Sequence, residues 1–332
     1  MEIVNIIDSS KKPKYKQIIA SIENAIEVGD LKKGDKLPSL NAIRDEFKLS
    51  RDTVLMAFNE LRSRGIIEST VGKGYYVKNE NIALSKKIFL LFDELNVFKE
   101  DLFNSFTHYL GADAQVDIFF HHFNPKVFRK LIEDNMGDYN YYVIMPANLS
   151  NAIESISLLP RDKVYLLDQT NKELSKYPAV YQNFEKNVLE GLNGIASLVK
   201  KYTKIVLLFS ETRQPKGILN GVKSFCGNYG IPYDVIEELK GRKPEKGELF
   251  FILEDRDLVL VIKEAKDEML ILGTDYGIIS YNETLLKEIV ADGITTISTD
   301  FKLMGQQLAE MILNKEFLQI ENPQNLFLRK SL

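Results

Sequence analysis

Two short clusters near the N-terminus carry side chains suited to a phosphate backbone and to base edges. Ser50-Arg51-Asp52-Thr53 sets a guanidinium among hydroxyls, and Gly72-Lys73-Gly74 presents an ammonium between two residues without side chains. An arginine fork pairs two acceptors of guanine or straddles phosphate oxygens, whereas lysine brings a point charge. Glycine neighbours let the backbone approach a groove closely. Lys36, Ser39 and Asn41 add a cation, a hydroxyl and an amide ahead of them. The chemistry implied is contact with duplex DNA, and the expected contacts are Lys36, Ser39, Asn41, Ser50, Arg51, Thr53, Gly72, Lys73 and Gly74. Gly72-Lys73-Gly74 lacks the Gly-x-x-x-x-Gly-Lys-Ser/Thr spacing of a nucleotide phosphate loop.

The elements around these residues fit that chemistry. After Pro13, apolar residues Tyr15, Ile18, Ile19, Ile22 and Ile26 recur at helical spacing until Gly29-Asp30. Ser39 can cap a second helix burying Leu40, Ile43 and Phe47, and Ser50 a third carrying Val54, Ala57, Phe58 and Leu61. Only Lys48 and Leu49 separate Phe47 from Ser50, so these two helices must cross sharply, as in a helix-turn-helix. The third is the expected recognition helix, with its polar N-terminal turn entering the major groove. Gly65 ends it, and Ile66 to Val71 with Tyr75 to Lys78 read as a hairpin, a wing with Lys73 at its tip.

Charge supports this placement. The chain has 43 Lys and Arg against 47 Asp and Glu, a net −4. Residues 1–78 hold 14 against 11, a balance of +3, which leaves 29 against 36, or −7, for the rest. The basic excess sits with the DNA motif. One cysteine, Cys226, excludes an internal disulfide, and with His108, His121 and His122 it makes no usual zinc set, so no metal and no cofactor is expected. No window approaches a membrane-spanning run, and Met1 to Ser10 lack the pattern of a secretory signal; a cytoplasmic location is expected.

The combined motifs Leu37-Pro38-Ser39, Ser50-Arg51-Asp52-Thr53-Val54 and Gly72-Lys73-Gly74-Tyr75-Tyr76-Val77 resemble the GntR family of bacterial transcription regulators. The resemblance implies a winged helix-turn-helix over residues 1–78 and binding to near-palindromic operator DNA as a homodimer. Leu40-Asn41 and Leu55 depart from residues common in the family, so base preference does not carry over.

From Lys87 the pattern becomes alternating strand and helix, which means parallel sheets covered by helices. Strands are expected at Ile88 to Phe92, Val116 to Phe120, Tyr141 to Met145, Val164 to Leu167, Ile205 to Phe209, Tyr233 to Ile236, Leu270 to Leu272 and Thr295 to Ile297. Helices are expected at Val97 to Leu110, Pro125 to Met136, Glu185 to Lys201, Gly217 to Tyr229 and Leu303 to Asn314. The closing run, Leu270 to Tyr276, then Gly293 to Asp300, then Met304-Gly305-Gln306-Gln307-Leu308-Ala309, resembles effector domains of the lac-repressor type. That resemblance implies the periplasmic sugar-binding-protein fold: an α/β domain of two doubly wound parallel-sheet lobes over residues 87–332, after a linker at 79–86, with ligand between the lobes.

In such lobes a ligand lies outside the carboxyl ends of the strands. Residues at those positions are Asp93, Glu94, Asn96, Asn148, Asp168, Tyr181, Asn183, Arg213 and Asp275, with Asp275 foremost. Carboxylates, amides and a guanidinium suit a polyhydroxylated ligand, because each buried hydroxyl must find a partner. Ile218 stands where the lac-repressor-type pattern has an arginine, so Arg213 or Lys216 would replace it. With no Trp, stacking on a sugar face would fall to Tyr181, Phe184 or Tyr276. The expected function is a sugar-controlled repressor of carbohydrate-utilisation genes and not an enzyme. The alternatives are a regulator sensing a non-sugar metabolite and a DNA-binding module fused to a metabolic enzyme; no nucleophile elbow, zinc motif or dinucleotide loop supports the latter.

Overall fold

The computed structural model describes residues 3–7, 13–80, 86–112 and 114–332, so most of the expected linker at 79–86 lies outside the described residues. Three helices open the chain: α1 (Lys14–Glu27), α2 (Leu40–Phe47) and α3 (Arg51–Ser63). The Ser39 hydroxyl accepts from Ala42 N at 3.0 Å and the Ser50 hydroxyl from Thr53 N at 3.1 Å. Each cap satisfies a donor that the first helical turn leaves free, at about 1 kcal/mol. Between the helices Lys48 takes a left-handed conformation at φ 52° and turns the chain. Ile18, Ile22 and Ile26 of α1 close a core with Val54, Ala57, Phe58 and Leu61 of α3.

The wing is β1 (Ile67–Thr70) paired antiparallel with β2 (Gly74–Val77). A third edge comes from the α1–α2 loop, where Lys36 bridges Tyr76 and Leu37 N bonds Tyr75 O at 2.9 Å. Gly72 at φ 73° and Gly74 at φ 110° make the tip.

The first lobe contains β3 (Lys86–Phe92), α4 (Val97–Leu110), β4 (Ala114–Phe120), α5 (Pro125–Asp134), β5 (Tyr141–Ile144), α6 (Ala152–Ile156), β6 (Val164–Asp168) and β7 (Ala179–Tyr181). The chain then crosses to the second lobe: α7 (Phe184–Gly194), α8 (Ala196–Val199), β8 (Lys204–Leu208), α9 (Lys216–Tyr229), β9 (Tyr233–Ile236), β10 (Glu248–Ile252), α10 (Asp255–Asp267), β11 (Gly277–Tyr281), α11 (Leu285–Ile289) and β12 (Thr295–Thr299). It returns through α12 (Phe301–Asn314) and β13 (Gln319–Glu321) to the first lobe, and ends with β14 (Gln324–Phe327) in the second. The sheet orders are β13-β7-β6-β5-β3-β4 and β14-β12-β11-β10-β8-β9, parallel throughout except β14 on β12. Both are doubly wound, with apolar clusters on each face.

Three segments therefore cross between the lobes, at Gln182, at Asp300 and at Asn322. Asn322 joins them: its N donates to Tyr181 O at 2.8 Å, and its amide nitrogen donates to Thr299 Oγ1 at 2.7 Å and Asp300 O at 2.9 Å.

Two expectations are corrected. Leu270 to Leu272 is not a strand but a turn, closed by Asp275 N on Ile271 O at 2.8 Å; the strand is β11, beginning at Gly277. Glu185 to Lys201 is not one helix but two, α7 and α8, broken at Ile195, which leaves the helical region. Strands β7 and β10 and helices α6, α10 and α11 were not foreseen. Leu249 to Ile252 is a continuous apolar run buried on both faces, which shows no alternation to read.

Candidate DNA interface and effector cleft

On the N-terminal domain, Arg51 stands exposed in the first turn of α3, directly after its Ser50 cap. Thr53 Oγ1 lies 2.8 Å from Ser50 Oγ, so the two hydroxyls brace the turn from which Arg51 projects. Lys36, Ser39, Asn41 and Lys73 are exposed as well. The Lys36 stem runs across Gly74, where a methyl group would meet its Cε at 3.4 Å, so Lys36 and the wing tip form one basic edge. The back of α3 faces the first lobe: Arg62 pairs with Asp138, and Lys163 Nζ reaches Glu60 Oε2 at 3.3 Å.

Between the lobes lies a cavity of about 250 Å³ at the carboxyl ends of both sheets. Asp93 follows β3 and pairs with buried Lys99 from α4. Asp168 ends β6 at φ 71° and accepts Gln182 Nε2 at 2.5 Å. Burial raises the Asp168 carboxyl to about 6, against an opposing pull from Lys99. From the second lobe come Tyr281, Asn282, Glu254, Asp255 and Arg256. The Tyr281 hydroxyl donates to Gln182 Oε1 at 3.1 Å, and burial pushes its titration upward. Phe98, Phe123, Phe184 and Phe301 supply apolar wall.

Two contacts bridge the mouth. Arg213 Nη2 meets Glu94 Oε2 at 2.8 Å while its guanidinium lies 5.6 Å over the Phe123 ring, and Asn148 Nδ2 donates to Gln214 O at 2.5 Å. His121 is buried beside this region, with Nε2 at 3.0 Å from Met145 O, and burial lowers its titration. Among the described residues no group of three or more His, Cys, Asp or Glu side chains could hold a metal ion, and no helix is long and apolar enough to cross a membrane.

Residues 14–77 match the family described as bacterial regulatory proteins, gntR family. The HTH-type transcriptional repressor YtrA of Bacillus subtilis (strain 168) is 32% identical over 115 residues, which cover 34% of this chain and 85% of that repressor. The chain belongs to the GntR family. Its DNA-binding domain is also 45% identical over 71 residues to the mannosyl-D-glycerate transport/metabolism system repressor MngR of Escherichia coli (strain K12), a match spanning 21% of this chain and 30% of that protein. The remainder of this GntR-family chain has the fold of a different group. A periplasmic binding protein/LacI transcriptional regulator from Alkaliphilus metalliredigens QYMF, solved with D-xylulofuranose, superposes with a TM-score of 0.60 at 12% identity, over 74% of this chain and 99% of that one.

Of the ligand residues expected from sequence, the GntR-family chain brings Asp93, Glu94, Asn96, Asp168 and Arg213 to the cavity wall. Asn96 also caps α4, accepting Lys99 N at 3.2 Å. Asn148 stands at the mouth, on Gln214. Tyr181 lies in β7 opposite Glu321, and Asn183 caps α7 and bonds Glu321 at 3.3 Å; neither lines the cavity. Asp275 is at the wrong end of its strand. It bonds Ile271 N at 3.0 Å and Lys246 at 3.1 Å, and the residues of β11, at about 3.3 Å each, separate it from the cleft. Asn282, at φ 63°, holds the position expected of Asp275. Ile218 lines the cavity where the pattern has arginine, and of the aromatic candidates Phe184 lines it while Tyr276 is buried against Phe250.

Lys99, Gln182, Glu254, Asp255, Arg256, Tyr281 and Asn282 were missed. The signal for Tyr281-Asn282 was available in the apolar run Gly277 to Tyr281; Lys99 and Gln182 gave none, because a helical lysine and a glutamine between elements read as solvated.

Proposed function

We propose that this chain is a transcription repressor of carbohydrate-utilisation genes, binding operator DNA as a homodimer and controlled by a monosaccharide or a close derivative held between its lobes. One observation carries the reading: carboxylates and amides from both lobes and from a crossing segment converge on one small cavity at the carboxyl ends of two doubly wound sheets. A volume of about 250 Å³ lies below the roughly 300–1,000 Å³ usual for drug-sized ligands, which favours a small effector. Asp93, Asp168, Gln182 and Asn282 offer acceptors and donors for ring hydroxyls, and Phe184 offers an apolar face. The relative named for mannosyl-D-glycerate metabolism and the fold neighbour bound to D-xylulofuranose point the same way.

Ligand in the cleft fixes the angle between the lobes, and Arg62 and Glu60 tie the recognition helix to the first lobe. In a dimer, a change in lobe angle alters the spacing of the two recognition helices. The coupling is reciprocal: a ligand that weakens operator binding binds the operator complex more weakly by the same factor.

The cavity wall holds Asp93, Glu94, Asp168 and Glu254 against Lys99, Arg213 and Arg256, with Asp255 paired to buried Lys287 at 3.1 Å. This acidic balance favours a second reading, an effector that carries an ammonium group, such as an amino sugar.

Thermal unfolding against neutral monosaccharides, amino sugars, sugar phosphates, nucleosides and amino acids tests both. A ligand at one hundred times its dissociation constant stabilises by about 2.7 kcal/mol, a shift of several degrees. A shift with one neutral sugar supports the first reading and a shift with amino sugars alone the second. A response confined to nucleosides or amino acids removes the sugar claim.

A further inference from the structure

A second cavity of about 600 Å³ opens where the DNA-binding domain meets the first lobe. Its walls come from Glu60 on the back of α3 and Arg64 at its C-cap, from strands β3, β5 and β6 with their preceding loops, and from the turn after α12. Three rings form its apolar side: Tyr141 stands edge-on to Tyr165 with centroids 5.9 Å apart, and Phe317 stacks on Tyr165 at 6.2 Å.

Two features of this cavity are unexplained by folding alone. The Tyr165 side chain is fully buried, yet its hydroxyl has no hydrogen-bond partner, and Arg64 Nε is buried without one too. An unpaired buried polar group costs about 1–3 kcal/mol, a cost that a ligand acceptor at this cavity would relieve for both. Two of its cations are also unpaired. Arg64 is paired with Glu23 and Lys163 with Glu60. Among the described residues Lys86 and Lys315 have no ion-pair partner; Asp162 in the wall and Glu316 beside Lys315 are the carboxylates that act on Tyr165.

We infer that this cavity is a second ligand site, independent of the cleft, and that it takes a small aromatic monocarboxylate. The ring packs among Tyr141, Tyr165 and Phe317. The carboxylate takes the unpaired ammonium groups of Lys86 and Lys315 and the free donors of Tyr165 and Arg64. A ligand seated there touches the recognition helix and the first lobe together, and fixes the helix on the lobe without any movement of the cleft. The inference does not rest on what the cleft binds.

Isothermal titration of the full chain with benzoate tests it, with acetate and benzamide as the anion without a ring and the ring without a charge. Benzoate binds at one molecule per chain, and each comparison compound binds more weakly by about tenfold or more. Lys86→Gln with Lys315→Gln weakens benzoate by about tenfold, and Tyr165→Phe weakens it by severalfold. Lys330→Gln, which removes an exposed charge outside both cavities, leaves it unchanged. Lys315 is exposed and Lys86 half-buried at the start of β3, and an unaltered unfolding temperature shows that the double variant folds. The inference is overturned if benzoate gives no binding at millimolar concentration, if acetate or benzamide binds as well, or if the double lysine variant binds as the parent does.

Discussion

Gln182 donates from Nε2 to Asp168 Oδ1 at 2.5 Å, and its Oε1 accepts the Tyr281 hydroxyl at 3.1 Å. One side chain on the first crossing segment thus links the carboxyl end of a strand in one lobe to that of a strand in the other. All three residues line the cleft. A ligand that replaces either bond acts directly on the groups that couple the lobes.

The Asp168 carboxyl titrates at about 6 in the fold against an ordinary 3.8, raised chiefly by burial. Its folded value lies above its unfolded one, so the protonated form stabilises the fold fully below 3.8, and that contribution is lost as pH rises through about 6. With each pH unit of separation worth about 1.4 kcal/mol, the loss by neutral pH is roughly 3 kcal/mol. Asp168→Asn removes this dependence. Denaturant unfolding of both proteins across pH 4 to 7 measures it: parent stability relative to the variant falls as pH rises, and a constant difference refutes the assignment.

Arg51 as a base reader and Lys73 as a phosphate contact, the roles proposed for them, predict different losses. Arg51→Ala costs about 1–3 kcal/mol at a selected operator and relaxes discrimination at the bases it reads. Lys73→Ala weakens all duplexes alike and lowers the slope of log affinity against log salt by about one. Fluorescence anisotropy at several salt concentrations, on duplexes selected by the parent protein, distinguishes them. An Arg51 variant that loses affinity equally for all sequences shows a phosphate contact only.

The N-terminal domain was legible because its signals are local. Ser39 and Ser50 cap within three residues, and Gly65, Gly72 and Gly74 mark turns through φ values that other residues avoid. The alternating lobes were legible as a pattern, but not in every register. Leu270 to Leu272 and Gly277 to Tyr281 are both short apolar runs flanking Gly273 to Asp275, and periodicity cannot choose between them. The fold chooses the second, whose five residues are all buried beside β10, while Ile271 stays 62% exposed. That choice moves the functional end of the strand from Asp275 to Asn282. Lys99 was illegible for another reason: its partner Asp93 lies six residues earlier across a strand-to-helix turn, and only the packed lobe brings them together.

Gly305 holds α12 against α4 at the closest point of the first lobe. A methyl group there would lie 2.4 Å from Leu102 O and 2.9 Å from Phe106 N, both backbone atoms. The helices cannot keep their spacing around it, so Gly305→Ala costs about 1–3 kcal/mol despite the gain in helix propensity. Because α12 follows directly from the crossing at Asp300, the displacement also reaches the hinge. Chemical denaturation reads the loss, and an alanine variant as stable as the parent would show that the helices are free to part.

Glu94 and Arg213 join the two lobes over the mouth of the cleft, yet their side chains are 27% and 48% exposed. Water screens such a pair, and holding two long side chains together costs entropy, so its coupling is below about 1 kcal/mol. The contact therefore biases closure without locking it, as a cleft that must admit a ligand requires. A double-mutant cycle with Glu94→Gln and Arg213→Gln, read by unfolding, measures the coupling free of each residue's other contacts. A coupling of several kcal/mol would mean that the lobes are latched shut without ligand, and ligand entry would then be limited by breaking this pair.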